Sequence, residues 1–455
     1  MSDPSTAARI EDVGVELAGW GNYPRLRTVV ATPRDDDALH ALVTSHSSFV
    51  ARGNGRSYGD STLNPDRVVS TLGRSRMLAF DGIAGRVTCE SGLLLADLLR
   101  MIVPNGWFVP VTPGTQYVTL GGMLAAAVHG KNGPRPGFGA HVEALTLLTP
   151  DGTRHRCTSR KNAELFRATI GGMGLTGVVL DLTFTLIPIE TAWIRQETIA
   201  TADLEETLAL FEADAPTWPY TVAWFDCLSR APARGRAIFQ RARHAFAAEI
   251  APRHGAPLHP PRRAHRRIPM FFPDAVLNGW TVRAFNEAYY RAGRLKAGTA
   301  LLDYAAFFYP LDTLEEWNRI YGRRGFTQYQ CVLPRAAARA GLDALLERIA
   351  ASGQGSFLAV LKRLGEDRSG YLSFPLDGYT LALDFPLTRT TLSLLDALDR
   401  IVVHHGGRLY LAKDARTSPG AFAAGYDTLD DFREIRARVD PARRISSRQA
   451  VRLQL

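Results

Sequence analysis

The chain has 455 residues, of which 46% are hydrophobic and 22% charged, with 40 glycines and 26 prolines. This composition is typical of a folded protein of two or three domains, and it excludes a mainly disordered, collagen-like or coiled-coil architecture. The formal net charge is +9, but only five of the 54 basic residues are lysines. A general preference for arginine explains this charge as readily as binding to an anionic partner does.

The four cysteines, at positions 89, 157, 227 and 331, lie far apart and form no C-x-x-C pair. They therefore predict neither a zinc site nor a disulfide framework, and they fit a reducing compartment. The first residues do not form a basic segment followed by an apolar one, and the chain contains no run of about 18 apolar residues. We expect a cytoplasmic protein without a bound metal.

Short strands and helices are predicted to alternate over the first 190 residues. Strands are expected where β-branched and aromatic residues are bounded by turn formers, at 49–55, 67–73, 85–92, 107–114 and 177–188. Helices are expected at 35–44, 93–103 and 120–128. The pattern indicates an α+β domain.

A second sheet with helices against it is predicted from about residue 195. Amphipathic segments at 203–213 and 311–321 alternate with strand-like segments at 327–334 and 379–386. Residues 252–268 are rich in Pro, Arg and His without a period, which predicts a mobile loop. A glycine-punctuated strand follows at 406–416, and then a polar helix from residue 427 to about 439. We expect domain segments at 1–190, 191–407 and 408–455.

The first segment that could carry chemistry is ARGNGRSYGD at 51–60, with glycines at 53, 55 and 59. Glycines without steric restriction on φ allow successive backbone N–H groups to converge on a pyrophosphate. The segment lacks the lysine of a P-loop and the third glycine of a nicotinamide-binding fingerprint. By itself, it is equally well interpreted as a surface turn.

Two further glycine-rich segments follow, at 113–132 and 169–179. In the first, Gly121 and Gly122 begin an Ala-rich helix whose N-terminal amides could face a phosphate. This segment ends at His129 and Lys131, although a single histidine is more often a structural residue. Three such turns within about 130 residues exceed what surface turns need, so we expect one long ligand lying against the backbone.

These segments resemble the vanillyl-alcohol-oxidase (PCMH-type) family of FAD-binding flavoenzymes, and within it the branch that oxidises polyprenylphosphoryl ribose. The resemblance lies in RGNGRSYGD, in PGT-x-x-VT-x-GG with HGKN, in GG-x-GLTG and in the late AKD-x-R. It extends through AWFD at 223–226, PLD at 310–312, QYQ at 328–330 and SFP at 373–375. It implies an α+β fold of two domains, with a substrate domain built on an antiparallel sheet.

The resemblance implies that FAD is bound by the three glycine-rich segments and by the turn that carries Lys413. The corresponding positions are Arg52, Gly53, Asn54, Gly55, Arg56, Ser57, Tyr58, Gly59, Pro113, Gly114, Thr115, Thr119, Gly121, Gly122, Ala126, His129, Gly130, Asn132, Gly172, Gly174, Gly177, Val179, Tyr410, Ala412 and Lys413. Many relatives bond FAD covalently through a histidine at the position of Arg56. Because a guanidinium stays protonated and cannot be that nucleophile, we expect noncovalent FAD.

Lys413 is the residue first predicted to be catalytic. Oxidation of an alcohol by hydride transfer to a flavin places negative charge on the N1–C2 side of the ring, and a fixed ammonium would stabilise it. The alcohol must also lose its hydroxyl proton to a base. His129, Tyr58 and Lys413 have suitable side chains, and the sequence does not choose among them.

The resemblance also implies a set of substrate-binding residues: Lys131, Phe308, Tyr309, Gln328, Gln330, Lys362, Thr380 and Ala382. Two differences from the family pattern stand out. The family's active-site Tyr corresponds to Phe308, with Tyr309 next to it, and its Asn-x-Cys corresponds to Thr380 and Ala382. We therefore expect altered sugar recognition and no target for inhibitors that bond that cysteine.

The function implied is FAD-dependent oxidation of a secondary sugar hydroxyl to a ketone, at C2 of a polyprenylphosphoryl-β-D-ribofuranose. This would be the first half of an epimerisation to arabinose for cell-wall arabinan, completed by an NAD(P)H-dependent keto-sugar reductase. The alternative is a soluble sugar, nucleoside or alditol. No nucleic-acid-binding motif occurs. The basic and apolar stretch at 252–273 suggests peripheral membrane contact, and the relatives allow a periplasmic location.

Overall fold

The computed structural model describes residues 14–213, 217–252, 255–261, 263–274 and 276–455. Residues 1–13 of the predicted FAD domain, and positions 253, 254 and 262 of the predicted loop, lie outside the described residues. No helix in the described ranges is long and apolar enough to cross a membrane.

The first part of the chain forms two sheets. The first sheet has the strand order β1-β2-β4-β3, and the second has the order β5-β6-β10-β8-β9 with antiparallel pairing throughout. The strands are β1 (Gly14–Ala18), β2 (Arg25–Ala31), β3 (Val50–Arg52), β4 (Arg67–Ser70), β5 (Met77–Asp81), β6 (Arg86–Glu90), β7 (Trp107–Phe108), β8 (Val142–Leu148), β9 (Arg154–Thr158), β10 (Val178–Thr185) and β11 (Ile187–Pro188). The helices are α1 (Asp36–Ser45), α2 (Leu95–Ile102), α3 (Leu120–Ala125) and α4 (Ala163–Thr169).

The second part is built on an eight-stranded antiparallel sheet of order β16-β12-β14-β13-β19-β20-β18-β21. The strands after β11 are β12 (Trp193–Thr201), β13 (Tyr220–Phe225), β14 (Ala237–His244), β15 (Arg266–Arg267), β16 (Gly298–Asp303), β17 (Leu314–Glu315), β18 (Phe326–Pro334), β19 (Ala359–Leu364), β20 (Gly378–Pro386) and β21 (Arg408–Leu409). The helices are α5 (Leu204–Ala213), α6 (Gly279–Leu295), α7 (Tyr304–Phe308), α8 (Arg335–Ser352), α9 (Arg389–His404), α10 (Pro419–Ala423), α11 (Leu429–Val439) and α12 (Arg448–Leu453).

The two faces of the eight-stranded sheet differ in polarity. Because successive side chains of a strand point to opposite faces, residues such as Phe239, Leu361 and Leu381 share one face. These residues are fully buried in one core cluster with α8 and α9 residues such as Leu342 and Leu395. The opposite face of β18, β19 and β20 carries polar side chains and becomes one wall of the candidate site.

The end of the chain returns to the first part. After β21 pairs with β18, Tyr58 N donates to Ala412 O over 2.9 Å, and the Tyr410 hydroxyl donates to Ala126 O over 2.8 Å. Arg452 on α12 forms ion pairs with Asp60 and Asp414. The turn that carries Lys413 is therefore held between the two sheet systems.

The α+β class expected from the sequence is confirmed, as are the helices at 35–44, 93–103 and 203–213 and the strands at 327–334 and 379–386. The helix expected at 311–321 is wrong. This segment forms two 3-10 turns on either side of β17, and Glu316 between them has φ +55° and interrupts a continuous helix. At 107–114 only Trp107 and Phe108 form a strand, because Pro110 and Pro113 cannot donate to a ladder.

Candidate active site

The first glycine-rich loop runs along the beginning of α3 and the Lys413 turn. A Cβ atom on Gly53 would overlap Thr119 Oγ1, and one on Gly59 would overlap the carbonyl oxygen of Asp414. Gly55 has φ +63°, which favours glycine. These close approaches explain why glycine occupies these positions, and they place the loop against both neighbouring segments.

This loop offers the backbone donors that a pyrophosphate needs. Within the described part of the chain, no protein acceptor pairs with the N–H groups of Asn54, Gly55, Arg56 or Ser57. Asn54 Nδ2 donates to Tyr117 O over 2.7 Å, which ties the loop to the second glycine-rich segment. Consecutive unpaired amides in a glycine-rich turn form an anion-binding concavity.

The amides at the beginning of α3 are not free to bind a phosphate, contrary to the expectation. Gly121 N donates to Ser91 O over 2.8 Å, and Gly122 N donates to the hydroxyl of Thr119, the N-cap residue of α3. These amides are thus used within the protein. Since a Cβ on Gly121 would press on Ser91, this glycine permits close packing. The assignment of both glycines to FAD binding stays a prediction.

The third glycine-rich segment packs against the end of α3. Gly171 N donates to Leu124 O and Met173 N to Ala125 O, over 3.0 and 2.9 Å. Gly174 has φ +76°, and no atom lies within 4 Å of its Cβ position, so it has an open side. A Cβ on Gly172 or Gly177 would clash with neighbouring residues. The three segments therefore meet around one short helix.

A row of polar side chains faces the site from the eight-stranded sheet. Gln328 is paired in register with Asp384, Gln330 with Ala382, and Thr380 with Lys362. Directly paired residues of antiparallel strands project from the same face. Gln330 Nε2 also donates to Thr380 Oγ1 over 3.0 Å. The sheet thus gathers most of the predicted substrate-binding residues on one surface.

Lys413 lies against Tyr58, with its Nζ atom 3.8 Å from the centre of the phenol ring. Burial lowers the pKa of the Lys413 ammonium, and the charge of Asp384 opposes this change. Burial raises the pKa of the Tyr58 phenol well above its usual value. The structure therefore brings together two of the three predicted catalytic residues, and at neutral pH the phenol keeps its proton.

Asp384 belongs to the same group of side chains, although it was not predicted from the sequence. Its Oδ1 atom accepts a hydrogen bond of 2.5 Å from Gln328 Nε2, and its Oδ2 atom is buried without a partner. Burial raises the pKa of its carboxyl, an effect that Lys413 opposes. One signal was present: Thr380, Ala382 and Asp384 alternate along β20, so the acidic residue had to share their face.

His129 joins the site from the end of the second glycine-rich segment. Its Nε2 atom lies 2.8 Å from Gln330 Nε2, whereas its Nδ1 atom is buried without a partner. Its ring contacts Phe374 and Tyr410, with centroids 5.1 and 5.0 Å away. Burial, together with Lys362 and Lys413, holds the pKa of this imidazole well below its usual value. The ring is therefore neutral at pH 7.

Lys131 and Lys362 bring two more amines close to the site. The Nζ atom of Lys131 donates to Phe307 O and lies 4.4 Å from the Phe307 ring centre. Burial, with a contribution from Lys362, lowers the pKa of Lys131 to about 7, and burial lowers the pKa of Lys362 to about 8. The electrostatic influence of Lys362 reaches Lys131, His129 and Lys413, so these residues surround one region.

Phe308 and Tyr309 are not part of this polar group. Phe308 stacks on Phe108 with a centroid distance of 5.4 Å, and the Tyr309 hydroxyl lies 2.5 Å from Thr112 Oγ1. Both are 2% exposed or less and belong to the hydrophobic core. Because side chains rotate by about 100° per helical residue, Phe307 faces Lys131 instead. The predicted substrate contact of Phe308 and Tyr309 is not supported by their packing.

Arg56 is fixed beside the first glycine-rich loop. Its guanidinium carbon lies 4.1 Å from the Trp20 ring centre and 5.7 Å from that of Tyr117. Its Nε atom is buried without a partner. Among the other predicted positions, Arg52 donates to Ala18 O and Thr62, and Gly130 N donates to Asn132 Oδ1.

These residues fit a bound dinucleotide with an isoalloxazine ring. The fit rests on the unpaired amides at 54–57, on the open side of Gly174, and on the unpartnered polar atoms of Arg56, His129 and Asp384. Such buried polar atoms are costly unless a ligand or water satisfies them. The arrangement can bind a dinucleotide along the loops and present an ammonium, an imidazole and a carboxyl to a second molecule.

Comparison with known proteins supports this interpretation. The FAD binding domain family matches residues 28–158. The chain is 36% identical to the decaprenylphosphoryl-beta-D-ribose oxidase of Mycolicibacterium smegmatis, over 96% of this chain and 97% of that protein. It is 31% identical to the L-gulonolactone oxidase of Bos taurus over 43% of this chain and 45% of that protein. It is 30% identical to cytokinin dehydrogenase 9 of Oryza sativa subsp. japonica, over 34% of this chain and 31% of that protein.

Proposed function

Because this chain belongs to the decaprenylphosphoryl-β-D-ribose oxidase branch of the vanillyl-alcohol-oxidase-type FAD-binding oxidoreductases, we propose that it oxidises C2 of a polyprenylphosphoryl-β-D-ribofuranose to a ketone. The enzyme is a FAD-dependent oxidoreductase. What we propose beyond this class of enzyme is the substrate, a ribofuranose linked to a lipid through a phosphate. It is supported by the group of buried amines and by the likeness to the mycobacterial protein.

The residues around the glycine-rich loops would hold FAD. The unpaired amides at 54–57 would bind its pyrophosphate, and Gly174 leaves room beside the third segment. Bound FAD supplies the acceptor for the two electrons and the hydrogen that leave C2. Arg56 occupies the position of a flavin-bonding histidine and packs on Trp20. We therefore propose that FAD is held without a covalent bond.

Lys413 would stabilise the negative charge that forms during the reaction, and His129 would act as the base. The ammonium of Lys413 stabilises negative charge that develops in a site from which water is excluded. Of the three candidate bases, Tyr58 has a raised pKa and keeps its proton, whereas His129 is neutral and has an unpartnered Nδ1 atom. His129 therefore takes the hydroxyl proton of the substrate. The proton enters at Nδ1, so the neutral imidazole carries its own proton on Nε2, and the side-chain amide of Gln330, turned to present its oxygen, accepts that N–H and orients the ring.

The observation that carries the substrate class is the excess of positive charge in the site. Lys131, Lys362 and Lys413 approach one region, and Asp384 is the only acidic side chain of the described residues with a marked electrostatic effect on them. Amines held together in a buried site repel one another when protonated, which lowers their pKa values, and an anion in the site is required to keep them charged. A phosphate ester satisfies this requirement, and a neutral sugar does not.

The second candidate is oxidation of a soluble sugar, nucleoside or alditol. It is favoured by the side chains of β20 that face the site, where Thr380 and Ala382 replace the family's amide and thiol. Ala382 leaves a smaller and less polar surface opposite Gln330. This change alters recognition of the sugar ring more directly than recognition of a phosphate.

The test compares three substrates under anaerobic conditions, with flavin bleaching as the readout. Farnesylphosphoryl ribose should reduce the flavin, whereas methyl ribofuranoside and free ribose should react at least about tenfold more slowly. In Lys362→Gln, the KM for the phosphorylated substrate should rise, while the smaller KM change for methyl ribofuranoside serves as the control. Equal rates with neutral and phosphorylated sugars would favour the second candidate.

Two further parts of the proposal concern partners. A C2 ketone is the substrate class of an NAD(P)H-dependent reductase, which would complete an epimerisation. Contact with a membrane at residues 252–273 would bring the enzyme to a lipid-linked substrate. The described residues of this stretch are mostly exposed, although Arg263 pairs with Asp303 and Arg267 with Glu316.

A further inference from the structure

Helix α6 presents an apolar stripe to solvent. Val282 and Asn286 are buried on its inner face, and Gly293 lies against Ile238 on the sheet. The opposite face carries Trp280 and Leu295, which are 80% and 89% exposed. Between them, the same face carries Ala284, Ala288, Ala292 and Thr281, together with one ion pair, between Glu287 and Arg291. An ordinary surface helix shows the reverse polarity.

Further apolar residues are exposed on α6 and in the segment before it. Met270, in the segment before α6, is 66% exposed, and Phe285 and Tyr289 on the side of α6 are 43% and 41% exposed. Single exposed apolar residues are common, but several large ones on one helix mark a surface that another apolar phase covers.

Basic residues flank the stripe. Arg283 and Arg294 lie along one side of α6, and Lys296 follows its end on the other side. Glu287 pairs with Arg236 and Arg291, whereas no ion pair joins Arg283, Arg294 or Lys296 to a carboxylate in the part of the chain that the structure describes. Apolar residues with tryptophan on one face and flanking Lys and Arg are typical of helices that lie in the interface of an anionic bilayer.

Aromatic rings connect this helix with the candidate active site. Phe285 contacts Phe357 at 5.5 Å between ring centroids, and Phe357 contacts Tyr321 at 5.5 Å. Tyr321 stacks on Phe326 at 4.2 Å, and Phe326 contacts Tyr58, the residue that lies under Lys413. A continuous aromatic wall therefore runs from the exposed helix to the proposed catalytic amine.

We propose that the outward face of α6 docks on the surface of an anionic lipid bilayer. The occupant is the bilayer itself: Trp280 and Leu295 enter the headgroup region, and Arg283, Arg294 and Lys296 lie at the level of the lipid phosphates. The inference deepens the proposed function, since docking there places the aromatic wall next to the membrane that would hold a lipid-linked sugar. The residues that form the docking surface are identified from their exposure and charge, and this identification does not depend on the substrate.

The experiment measures sedimentation of the FAD-loaded enzyme with vesicles of phosphatidylcholine alone or mixed with phosphatidylglycerol. The enzyme should sediment with the mixed vesicles, and Trp280→Ser/Leu295→Ser should weaken binding by about tenfold or more. Ile83→Ser, which changes a residue that is 98% exposed elsewhere, should leave binding unchanged. Arg283→Gln/Arg294→Gln should weaken binding to the mixed vesicles and reduce its dependence on salt.

Three results would overturn the inference: no sedimentation of the wild-type enzyme, unchanged sedimentation of Trp280→Ser/Leu295→Ser, or a wild-type dimer that this variant converts to a monomer. The last result would assign the surface to a second copy of the chain. Turnover of water-soluble farnesylphosphoryl ribose should be the same in both variants as in wild type. Vesicle binding without any such turnover would contradict the proposed function and leave the docking surface supported.

Discussion

The ammonium of Lys413 is held by the ring of Tyr58, and no carboxylate of the described residues forms an ion pair with it within 4 Å. This arrangement leaves the positive charge available to a reacting molecule. A close carboxylate would neutralise it and would stabilise the ground state as strongly as the transition state. The sequence singled out this lysine because the chain otherwise uses arginine almost throughout, and the structure gives that choice a physical reason.

Lys413→Ala should retain the fold and the FAD content but reduce the substrate-dependent rate of flavin reduction by about 10²–10³-fold, because the charge that stabilises the transition state is gone. Anaerobic stopped-flow absorbance measures this rate. Lys161→Ala, at an exposed position, should behave like wild type. A normal reduction rate in Lys413→Ala would remove the main catalytic assignment.

Asp384 should determine the pH at which Lys413 loses its proton. Burial lowers the pKa of Lys413, and the Asp384 carboxylate opposes that change. Asp384→Asn removes the opposing charge, so the pKa of Lys413 falls further and its ammonium is lost at lower pH. The alkaline limb of the kcat/KM profile should therefore move to lower pH.

The profile of kcat/KM against pH, which reports groups of the free enzyme, tests this prediction. Asp384→Glu, which keeps the charge, should restore the position of the limb at least in part. Asp430→Asn on the exposed surface should leave it unchanged. An alkaline limb in the same place for Asp384→Asn would show that this carboxylate does not act on the amine.

At the scale of elements, helix α12 fastens the first glycine-rich loop to the Lys413 turn. The Arg452 guanidinium lies 2.8 Å from both Asp60 Oδ1 and Asp414 Oδ2, and these carboxyl groups are 1% and 5% exposed. Burial raises the pKa of Asp60, whereas the pKa of Asp414 is lowered because Arg452 and backbone donors outweigh the effect of its burial. The pairing thus couples three segments that are distant in sequence.

Arg452→Met should lower the free energy of unfolding by about 3–5 kcal/mol, because it leaves two buried carboxyl groups without their cation. Urea unfolding followed by tryptophan fluorescence measures the change. The matched control is Arg368→Met, which removes an exposed pair with Glu366 and should cost only about 0–1 kcal/mol. Equal effects of the two substitutions would contradict a structural role for the α12 contact.

At the scale of the whole molecule, the candidate site lies between the two sheet systems. The glycine-rich loops belong to the first part, the polar row to the eight-stranded sheet, and the Lys413 turn to the returning end of the chain. A ligand bound there would contact all three of these parts. Its binding energy therefore adds to the stability of the whole protein.

Removal of FAD should lower the unfolding temperature, and FAD at 100 times its Kd should restore about 2.7 kcal/mol of stability. Scanning calorimetry of the enzyme before and after removal of the flavin tests this. Because Arg56 cannot form the covalent bond, acid precipitation should leave all the flavin in the supernatant. Flavin that stays with the precipitated chain would contradict noncovalent binding.

Much of the fold and of the site could be predicted from local patterns. The alternation of apolar residues located β18 and β20, and helix periodicity located α1, α2 and α5. The clustered glycines indicated where segments of the backbone pack closely against one another, as at Gly53, Gly59 and Gly121, because such contacts leave no room for a side chain. Such features depend on neighbours along the chain, and the sequence by itself determined them.

Tertiary structure alone decided which side chains meet. The register of β18 on β20 places Asp384 beside Gln328, the turn of α7 directs Phe307 rather than Phe308 toward Lys131, and Ser91 takes the amide of Gly121. The exposure of Trp280 on α6 also could not be predicted from the sequence. The physical reason is the same in each case: these contacts join residues far apart in the chain, and their geometry is set by how whole elements pack.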